Sequence, residues 1–248
     1  MKKNVILWSG GKDSTATIIL AHMHQQKIDE IVFTEVMYDT RRGISGELPE
    51  HIHFIKKVAK PLFEEWGYTV TIISAETDYL SHFNRIIERP VKHIDHRGKV
   101  FGFPLGKMCG IRRDCKIKPA ARYLDNKYGK NGYQQYVGIC ADEERRLEAL
   151  YRVGNRSLLA ECGFTQLDAK ALCESYGLLS PSYKYSKRGG CFFCPFAKPM
   201  ENLQIKQTYP EIWEEFVSLE SRTDLANKRW NPFGETLLER DKKLNQYM

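Results

Sequence analysis

Nowhere in the 248 residues does an apolar run approach the ~20 needed for a helix to span a bilayer. The opening Met1-Lys2-Lys3-Asn4 leads into Val5-Ile6-Leu7-Trp8, an apolar stretch too short for a signal peptide and followed by no cleavage site. These absences predict a cytoplasmic protein with no membrane partner. In that reducing compartment the seven Cys point to ligands or small buried hydrophobes rather than to a disulfide framework. No repeat at a fixed period and no low-complexity tract is present, which argues against a solenoid or an extended disordered chain. The ordinary nucleotide P-loop, Gly-x-x-x-x-Gly-Lys-Ser/Thr, is also missing.

The composition that remains is globular: 42% hydrophobic, 28% charged, with eighteen Gly and ten Pro. The formal charge is +7, and it is unevenly placed. Between Arg85 and Lys118 lie ten basic residues (Arg85, Arg89, Lys92, Arg97, Lys99, Lys107, Arg112, Arg113, Lys116, Lys118) and three acidic ones, so this segment carries the whole excess. A local basic block implies a local anionic partner, either nucleic acid or a small phosphorylated ligand; a merely solvated basic loop is the bland alternative.

Strand and helix signals alternate through the first half. Val5–Trp8 reads as a buried parallel strand. Ser14 to Gln26 reads as a helix with Ile18, Ile19 and Met23 toward a core. Ile31–Met37 is a second strand, and Glu50–Trp66 a second helix interrupted or restarted near Pro61. Tyr68–Ile73 is a third strand, Pro119–Tyr128 a helix, and Tyr133–Cys140 a further strand. From Asp142 the signals are mostly helical: Glu143–Arg152, Leu158–Cys162, Gln166–Ser175 and Pro210–Glu220. The expected fold is an α/β, Rossmann-like parallel sheet over residues 1–152, with a helical C-terminal region, 153–248, that carries a Cys-x-x-Cys turn and closes over the site. Trp213, Phe216 and Leu219 are expected to face the core.

The most informative segment is Ser9-Gly10-Gly11-Lys12-Asp13-Ser14-Thr15. It follows a buried strand and opens a helix. The glycines allow a sharp turn and a close backbone approach to a ligand. The helix start offers unpaired N–H groups and a positive dipole end, which together favour phosphate. Ser9, Ser14 and Thr15 add hydroxyls, Lys12 adds charge, and Asp13 would hold Mg²⁺ or orient a neighbour.

Cys191-Phe192-Phe193-Cys194 and Cys109-x5-Cys115 supply two thiol pairs. Four thiolates from distant segments suit a tetrahedral Zn²⁺ or a [4Fe–4S] cluster. Arg112, Arg113, Lys116 and Arg188 nearby would favour the thiolate form. Cys140, Cys162 and Cys173 sit in apolar contexts and read as core. His93-Ile94-Asp95-His96 reads as loop surface. Thr165-Gln166-Leu167-Asp168 has the form of a capping box, and a helix-turn-helix over Leu158–Leu178 is conceivable, although its second helix carries only Lys170 as a base.

Ser9-Gly10-Gly11-Lys12-Asp13-Ser14 resembles the pyrophosphate-binding loop of the adenine nucleotide alpha-hydrolase superfamily, whose members usually cleave ATP between the α and β phosphates and adenylate a substrate oxygen. Within it, Asp39-Thr40 and Leu48-Pro49-Glu50 resemble the Asp-Thr-Gly and Pro-Glu-Thr segments of the phosphoadenosine phosphosulfate reductase family, with Arg41 in place of the Gly and His51 in place of the Thr. Cys115-Lys116-Ile117-Lys118-Pro119 and Gly138-Ile139-Cys140-Ala141-Asp142-Glu143-Glu144-Arg145-Arg146 are similar to further segments of that family. The resemblance implies an adenine nucleotide (ATP, or PAPS or APS) with Mg²⁺ at Ser9 to Thr15. It places Asp39 and Thr40 near the adenosine, and Lys12, Asp13 and Arg145 in catalysis. It also implies a [4Fe–4S] cluster on Cys109, Cys115, Cys191 and Cys194, with zinc as the alternative. Its reductases use a nucleophilic Cys in a C-terminal Glu-Cys-Gly; Glu161-Cys162-Gly163 has those letters but lies mid-chain, and no Cys follows Cys194. The expected function is therefore adenylation with pyrophosphate release for sulfur or other group transfer. A thioredoxin-dependent sulfonucleotide reductase and a nucleic-acid-binding module without turnover are the alternatives. An RNA or DNA substrate and a homodimer stay open. Arg112, Arg113, Lys116 and Lys118 are expected to face the active site.

Overall fold

Alternating β-branched runs and helices produce the expected parallel sheet. The computed structural model describes residues 2–104, 109–184, 186 and 190–247. Lys107 and Arg188 of the basic reading fall outside the described residues. The chain forms two compact units, each discontinuous in sequence. The first comprises Met1–Glu35, Leu48–Ser74 and Ile117–Gly190, the second Val36–Glu47, Ala75–Lys116 and Cys191–Met248.

The first unit is α/β. Four parallel strands lie in the order Val70–Ser74, Glu30–Glu35, Lys3–Trp8, Tyr133–Tyr136. Ile6 stands opposite Ile31 on one side and Tyr136 on the other, and Ile31 opposite Val70. Glu30–Glu35 is buried at every position, as a central strand covered on both faces must be. The helix Lys12–Met23 is buried from Ser14 through Ala21. It packs against Gln166–Ser175 and Leu158–Glu161. Met23, expected in the core, is instead 51% exposed, because only this last turn emerges from beneath those helices. Pro61 has the expected effect in a particular form: the helix Pro49–His53 widens into a π-turn, Phe54–Ala59, and an α-helix restarts over Lys60–Glu65. Proline supplies no N–H to the preceding turn, and a wider turn absorbs the missing bond. The fourth strand ends at Tyr136 rather than Cys140, since Gly138 seats against another loop.

One buried carboxylate fixes a helix to this sheet. Glu30 accepts from Tyr123 at 2.7 Å, Tyr128 at 2.7 Å, Lys127 at 2.8 Å and the Thr71 hydroxyl. Three of these donors lie on the Lys118–Tyr128 helix.

The second unit is organised around aromatic rings. Phe216, on the helix Pro210–Ser218, has Tyr79, Phe103, Phe192, Trp213 and Trp230 within 6.4 Å, centroid to centroid. Trp213 and Phe216 are buried as expected, while Leu219 is half-buried. Two small sheets flank this core. Met37–Asp39 pairs antiparallel with Ile44–Ser45, and Val100–Gly102 pairs parallel with Leu225–Asn227. Helices Tyr79–Asn84, Pro199–Thr208 and Leu237–Leu244, together with these short strands, had no clear signal in the sequence.

Candidate functional site

The first unit's sheet creates a crevice by topology. From Lys3–Trp8 the chain crosses to Glu30–Glu35 on one side, while Tyr133–Tyr136 lies on the other. Ligands of doubly wound sheets bind at such a switch point, outside the carboxyl ends of the strands. The loop after Lys3–Trp8 is Ser9–Gly11, and the segment after Tyr133–Tyr136 is Val137–Cys140.

Glycine makes both segments fit. Gly10 has φ +73°, and a Cβ there would meet Ile55 Cδ1 at 2.3 Å and His51 Cε1 at 2.6 Å. A Cβ on Gly138 would meet Asp13 C and Ser14 N at 2.6 Å, so the main chains of the two segments touch directly. Gly11 caps the Lys12–Met23 helix without any side-chain hydrogen bond. Among the described residues the amides of Asp13 and Ser14 make no hydrogen bond, whereas Lys12 N donates to Tyr183 Oη at 2.8 Å. Ser9 N donates to Ser14 Oγ at 3.1 Å, and the two hydroxyls lie 3.0 Å apart. Unpaired first-turn amides at a dipole's positive end form an anion seat.

The charged residues are paired inside this unit. Lys12 Nζ contacts Asp13 Oδ1. Cys140 Sγ donates to the same carboxylate oxygen at 3.3 Å, and Cys173 Sγ to Lys12 O at 3.2 Å. Burial, then the charge of Asp13, raises both thiols, Cys173 to about 12, so both remain S–H donors. Thr15 is wholly buried and accepts from Trp8 Nε1 at 3.0 Å, so its hydroxyl serves the core. Arg145 stands exposed in the first turn of Glu144–Arg152 without an ion-pair partner among the described residues, while Arg146 pairs with Glu143.

Several contacts of the loop were not legible in the sequence. His51 is wholly buried, with Nε2 3.3 Å from Ser9 O and Nδ1 2.7 Å from Ser180 Oγ. Its only signal was that it stands where the family has Thr. Tyr183 had no signal at all. Cys140 and Cys173 are core, as expected, yet each touches the loop. Cys162 is not core: it is exposed, with Sγ 3.9 Å from His24 Nε2. It follows the four-residue helix Leu158–Glu161, whose inward positions are taken by Leu158 and Leu159. The capping box at Thr165 and Asp168 is present, and Gln166–Ser175 turns Ala169 and Cys173 inward while Lys170 pairs with Glu174 at 3.2 Å.

The remaining candidates lie in the second unit. Asp39 Oδ1 accepts from the Arg41 and Arg42 amides at 3.0 and 3.3 Å. Its carboxyl is held below the ordinary range, chiefly by the Arg42 guanidinium, which also pairs with Glu215. Thr40 is exposed, and its amide donates to Asp78 Oδ2 at 2.7 Å.

All four cysteines assigned to a metal also belong to this unit. Phe192 and Phe193 are buried in the aromatic core, so the Cys191–Cys194 turn is anchored by its two middle residues. Desolvation raises the Cys191 thiol well above its ordinary value, followed by Glu47 and then by Cys194 and Cys109; Lys116 opposes. Cys115 is buried and raised to about 11, first by burial and also by Asp114, Asp78 and Cys109. Cys109 contributes to the upward shift of both thiols. Among the described residues, only His93, Asp95 and His96 bring three metal-binding atoms within 4.8 Å of one another, and they sit on the surface. Arg112, Arg113 and Lys118, expected to face the active site rather than bulk solvent, are all exposed to solvent, and Arg113 is held by Asp114. Lys116 is half-buried, 3.8 Å from Glu47.

No family model matches the chain. It is similar to the uncharacterized protein MJ0066 of Methanocaldococcus jannaschii, 23% identical over 232 residues, 88% of this chain and 41% of that protein. It is also similar to the nin region protein ORF290 of Escherichia phage lambda, 26% identical over 206 residues, 77% of this chain and 65% of that protein. A third relative, protein MJ0973 of M. jannaschii, is 24% identical over 223 residues, 87% and 47% of the two chains. The chain thus spans less than two thirds of the length of each. Among solved structures it is similar to the U34-tRNA thiolase NcsA from Methanococcus maripaludis with its [4Fe-4S] cluster, at 15% identity and a TM-score of 0.42, covering 95% of this chain and 78% of that one.

Proposed function

We propose that the protein binds ATP at the Ser9–Ser14 loop and adenylates a substrate oxygen, releasing pyrophosphate, as the activating step of a sulfur or other group transfer. The observation that carries this reading is the glycine-capped helix start at the sheet's switch point, where among the described residues the Asp13 and Ser14 amides make no hydrogen bond and Gly138 is packed against their main chain. A substrate oxygen attacks the α-phosphorus as the bond to the β-phosphate oxygen breaks. The loop amides and Lys12 stabilise the charge that builds on pyrophosphate. Arg145, exposed and without an ion-pair partner among the described residues, is suited to the same polyanion. A sulfur or nitrogen nucleophile then displaces AMP from the activated carbon. Asp13, with one carboxylate and neighbouring phosphates, fits the sparse protein ligation that Mg²⁺ favours.

The donor set of the second unit fits a metal centre of soft ligands. A zinc ion about 2.3 Å from each sulfur draws four thiolates to within about 4 Å of one another. No three of the thiols lie within 4.8 Å, and a cubane, with one thiolate on each separate iron, suits that wider spacing. When bound, such a cluster would supply a soft site for hydrosulfide. For the acceptor we favour nucleic acid. The exposed stretch around a cavity of about 740 Å³, lined by Arg85, Arg89, Lys92, His93 and His96, offers charge to phosphates. The assignment of Asp39 and Thr40 to adenosine rests on the resemblance alone.

Incubation with ATP and Mg²⁺, with and without RNA or DNA, tests the reading: AMP and pyrophosphate are expected, and ADP with phosphate, or no nucleotide binding, overturns it. Sulfonucleotide reduction has one observation in its favour, the exposed Cys162. If sulfite is released from PAPS or APS and the C162S variant abolishes that release, reduction replaces adenylation as the preferred reading.

A further inference from the structure

The thiol-bearing unit holds a buried carboxylate that makes no hydrogen bond among the described residues. The Glu47 side chain is wholly buried, and among the described residues neither of its oxygens has a hydrogen-bond partner. Its nearest cation, Lys116 Nζ, is 3.8 Å away, beyond hydrogen-bonding distance. Burying a carboxylate in this way is unfavourable unless something occupies its lone pairs.

The backbone holds this group against the cysteine turn. Glu47 bridges Cys191 in antiparallel fashion, and Phe192 N donates to Gly46 O at 3.0 Å. A Cβ on Gly46 would meet Phe193 Cε1 at 2.6 Å and Val36 O at 2.8 Å, so the close approach needs glycine. Of the charges acting on the Cys191 sulfur, that of Glu47 is the largest, ahead of Lys116, Cys194 and Cys109. Cys115 presents the opposite case. Its S–H already donates to Thr77 O at 3.4 Å, and its sulfur also lies 3.9 Å from Thr77 Oγ1. Among the described residues one candidate ligand is hydrogen-bonded and the other is not.

We propose that Glu47, not Cys115, is the fourth protein ligand of the metal centre, giving a Cys109, Cys191, Cys194 and Glu47 set in which Cys115 stays a thiol. This rests on the reading of the unit as a metal centre. Three thiolates and one carboxylate make one corner chemically distinct. Oxygen is a hard donor, and a soft sulfur ligand such as hydrosulfide displaces it more readily than it displaces a thiolate. Lys116 is placed to accompany the Glu47 charge once it is displaced. Glu47 thereby defines the corner at which an inorganic sulfur donor exchanges.

The test uses the full chain, reconstituted anaerobically with ferrous iron and sulfide and, in parallel, with Zn²⁺ alone, each variant being checked for its fold by circular dichroism. The variants C109S, C191S and C194S should each lose bound metal by tenfold or more. C115A and C115S should keep wild-type stoichiometry. E47Q should change the electron paramagnetic resonance spectrum of the reduced cluster and lose one iron on mild oxidation. E47C should hold all its iron and no longer respond spectroscopically to added hydrosulfide, as the wild type does. If only zinc binds, the same order of variants in zinc affinity supports the ligand set. Loss of metal from folded C115A and C115S, or an E47Q spectrum identical to wild type, overturns the proposal. Wild-type protein that binds neither metal overturns it together with the metal-centre reading, while AMP release is scored separately and still decides the adenylation reading.

Discussion

The two compact units build their candidate sites by opposite means. In the sheet unit the site is main chain: amides of the Lys12–Met23 helix start, placed by Gly10, Gly11 and Gly138, with the surrounding side chains already hydrogen-bonded. In the thiol unit the site is side chain: four thiols and a carboxylate carried by a rigid aromatic core, with Glu47 unsatisfied. A main-chain site is specified by where side chains are absent. A side-chain site is specified by which groups packing brings to one place, and here by one carboxylate left without a hydrogen bond among the described residues. The two should therefore fail independently and to different kinds of substitution.

The largest expected effect comes from filling the contact between the loop and its neighbour. Gly138→Ala places a Cβ 2.6 Å from Ser14 N, against backbone that cannot swing away. AMP formation from ATP should fall by about a hundredfold or more, comparable to losing an oxyanion-type donor. Metal content of the same variant should match wild type. A Gly138→Ala protein that turns over ATP normally breaks the comparison, because the amide seat would then not depend on that packing. Its counterpart is Cys191→Ser, which should lose bound metal at least tenfold while ATP binding, read by equilibrium dialysis, changes less than twofold. Equal loss of both functions in either variant would show that the two sites are one.

A stability prediction sharpens the contrast on the sheet side. Glu30 is a buried carboxylate with both oxygens hydrogen-bonded, unlike Glu47. Removing it strands Lys127 and two tyrosines, so Glu30→Ala should cost about 3 kcal/mol, measured by urea denaturation. Burial alone would raise the Glu30 carboxyl, but donors from Lys127, Thr71, Tyr123 and Tyr128 outweigh it and hold it below the ordinary value of 4.5. The folded pKa is thus depressed. Its stabilisation is fully present above pH 4.5 and is lost as pH falls through the folded value. Glu30→Gln should flatten that acid limb of the stability curve, and an unchanged limb would assign the slope to other carboxylates.

The same contrast explains what could be read from the chain. The Ser9–Thr15 loop was legible because its chemistry is local: a strand, two glycines and a helix start in seven consecutive residues. Its supports were not, since His51, Cys173 and Tyr183 reach it across the fold and carry no pattern of their own. Cysteine type alone pointed to the second candidate site, and the aromatic letters inside Cys191-Phe-Phe-Cys194 did not reveal that they anchor the turn. Glu47 was invisible because lacking a partner is a property of packing, not of sequence. The misplacements of Cys162, Met23, Arg112 and Arg113 share a cause. Residue type gives a tendency toward burial, but whether another helix covers a given face is decided by tertiary packing. The crossings between units, at residues 36, 48, 75, 117 and 191, fall within runs of ordinary composition.

The smallest effect tests how far the main-chain site depends on remote support. Ser157 is wholly buried, caps the Leu158–Glu161 helix by accepting from Ala160 N, and donates to Ile139 O at 2.6 Å. Ile139 is the residue after Gly138, so one hydroxyl links a helix cap to the segment packed against the Ser9–Ser14 loop. Ser157→Ala should cost about 1 kcal/mol as a lost cap. If the hydroxyl also positions Gly138, the KM for ATP should rise severalfold while kcat stays within twofold. A small shift of the seat weakens the hold on ATP equally in the ground and transition states, which raises KM and leaves kcat unchanged. A stability loss with unchanged KM would confine Ser157 to capping and show that the Gly138 contact holds by packing alone.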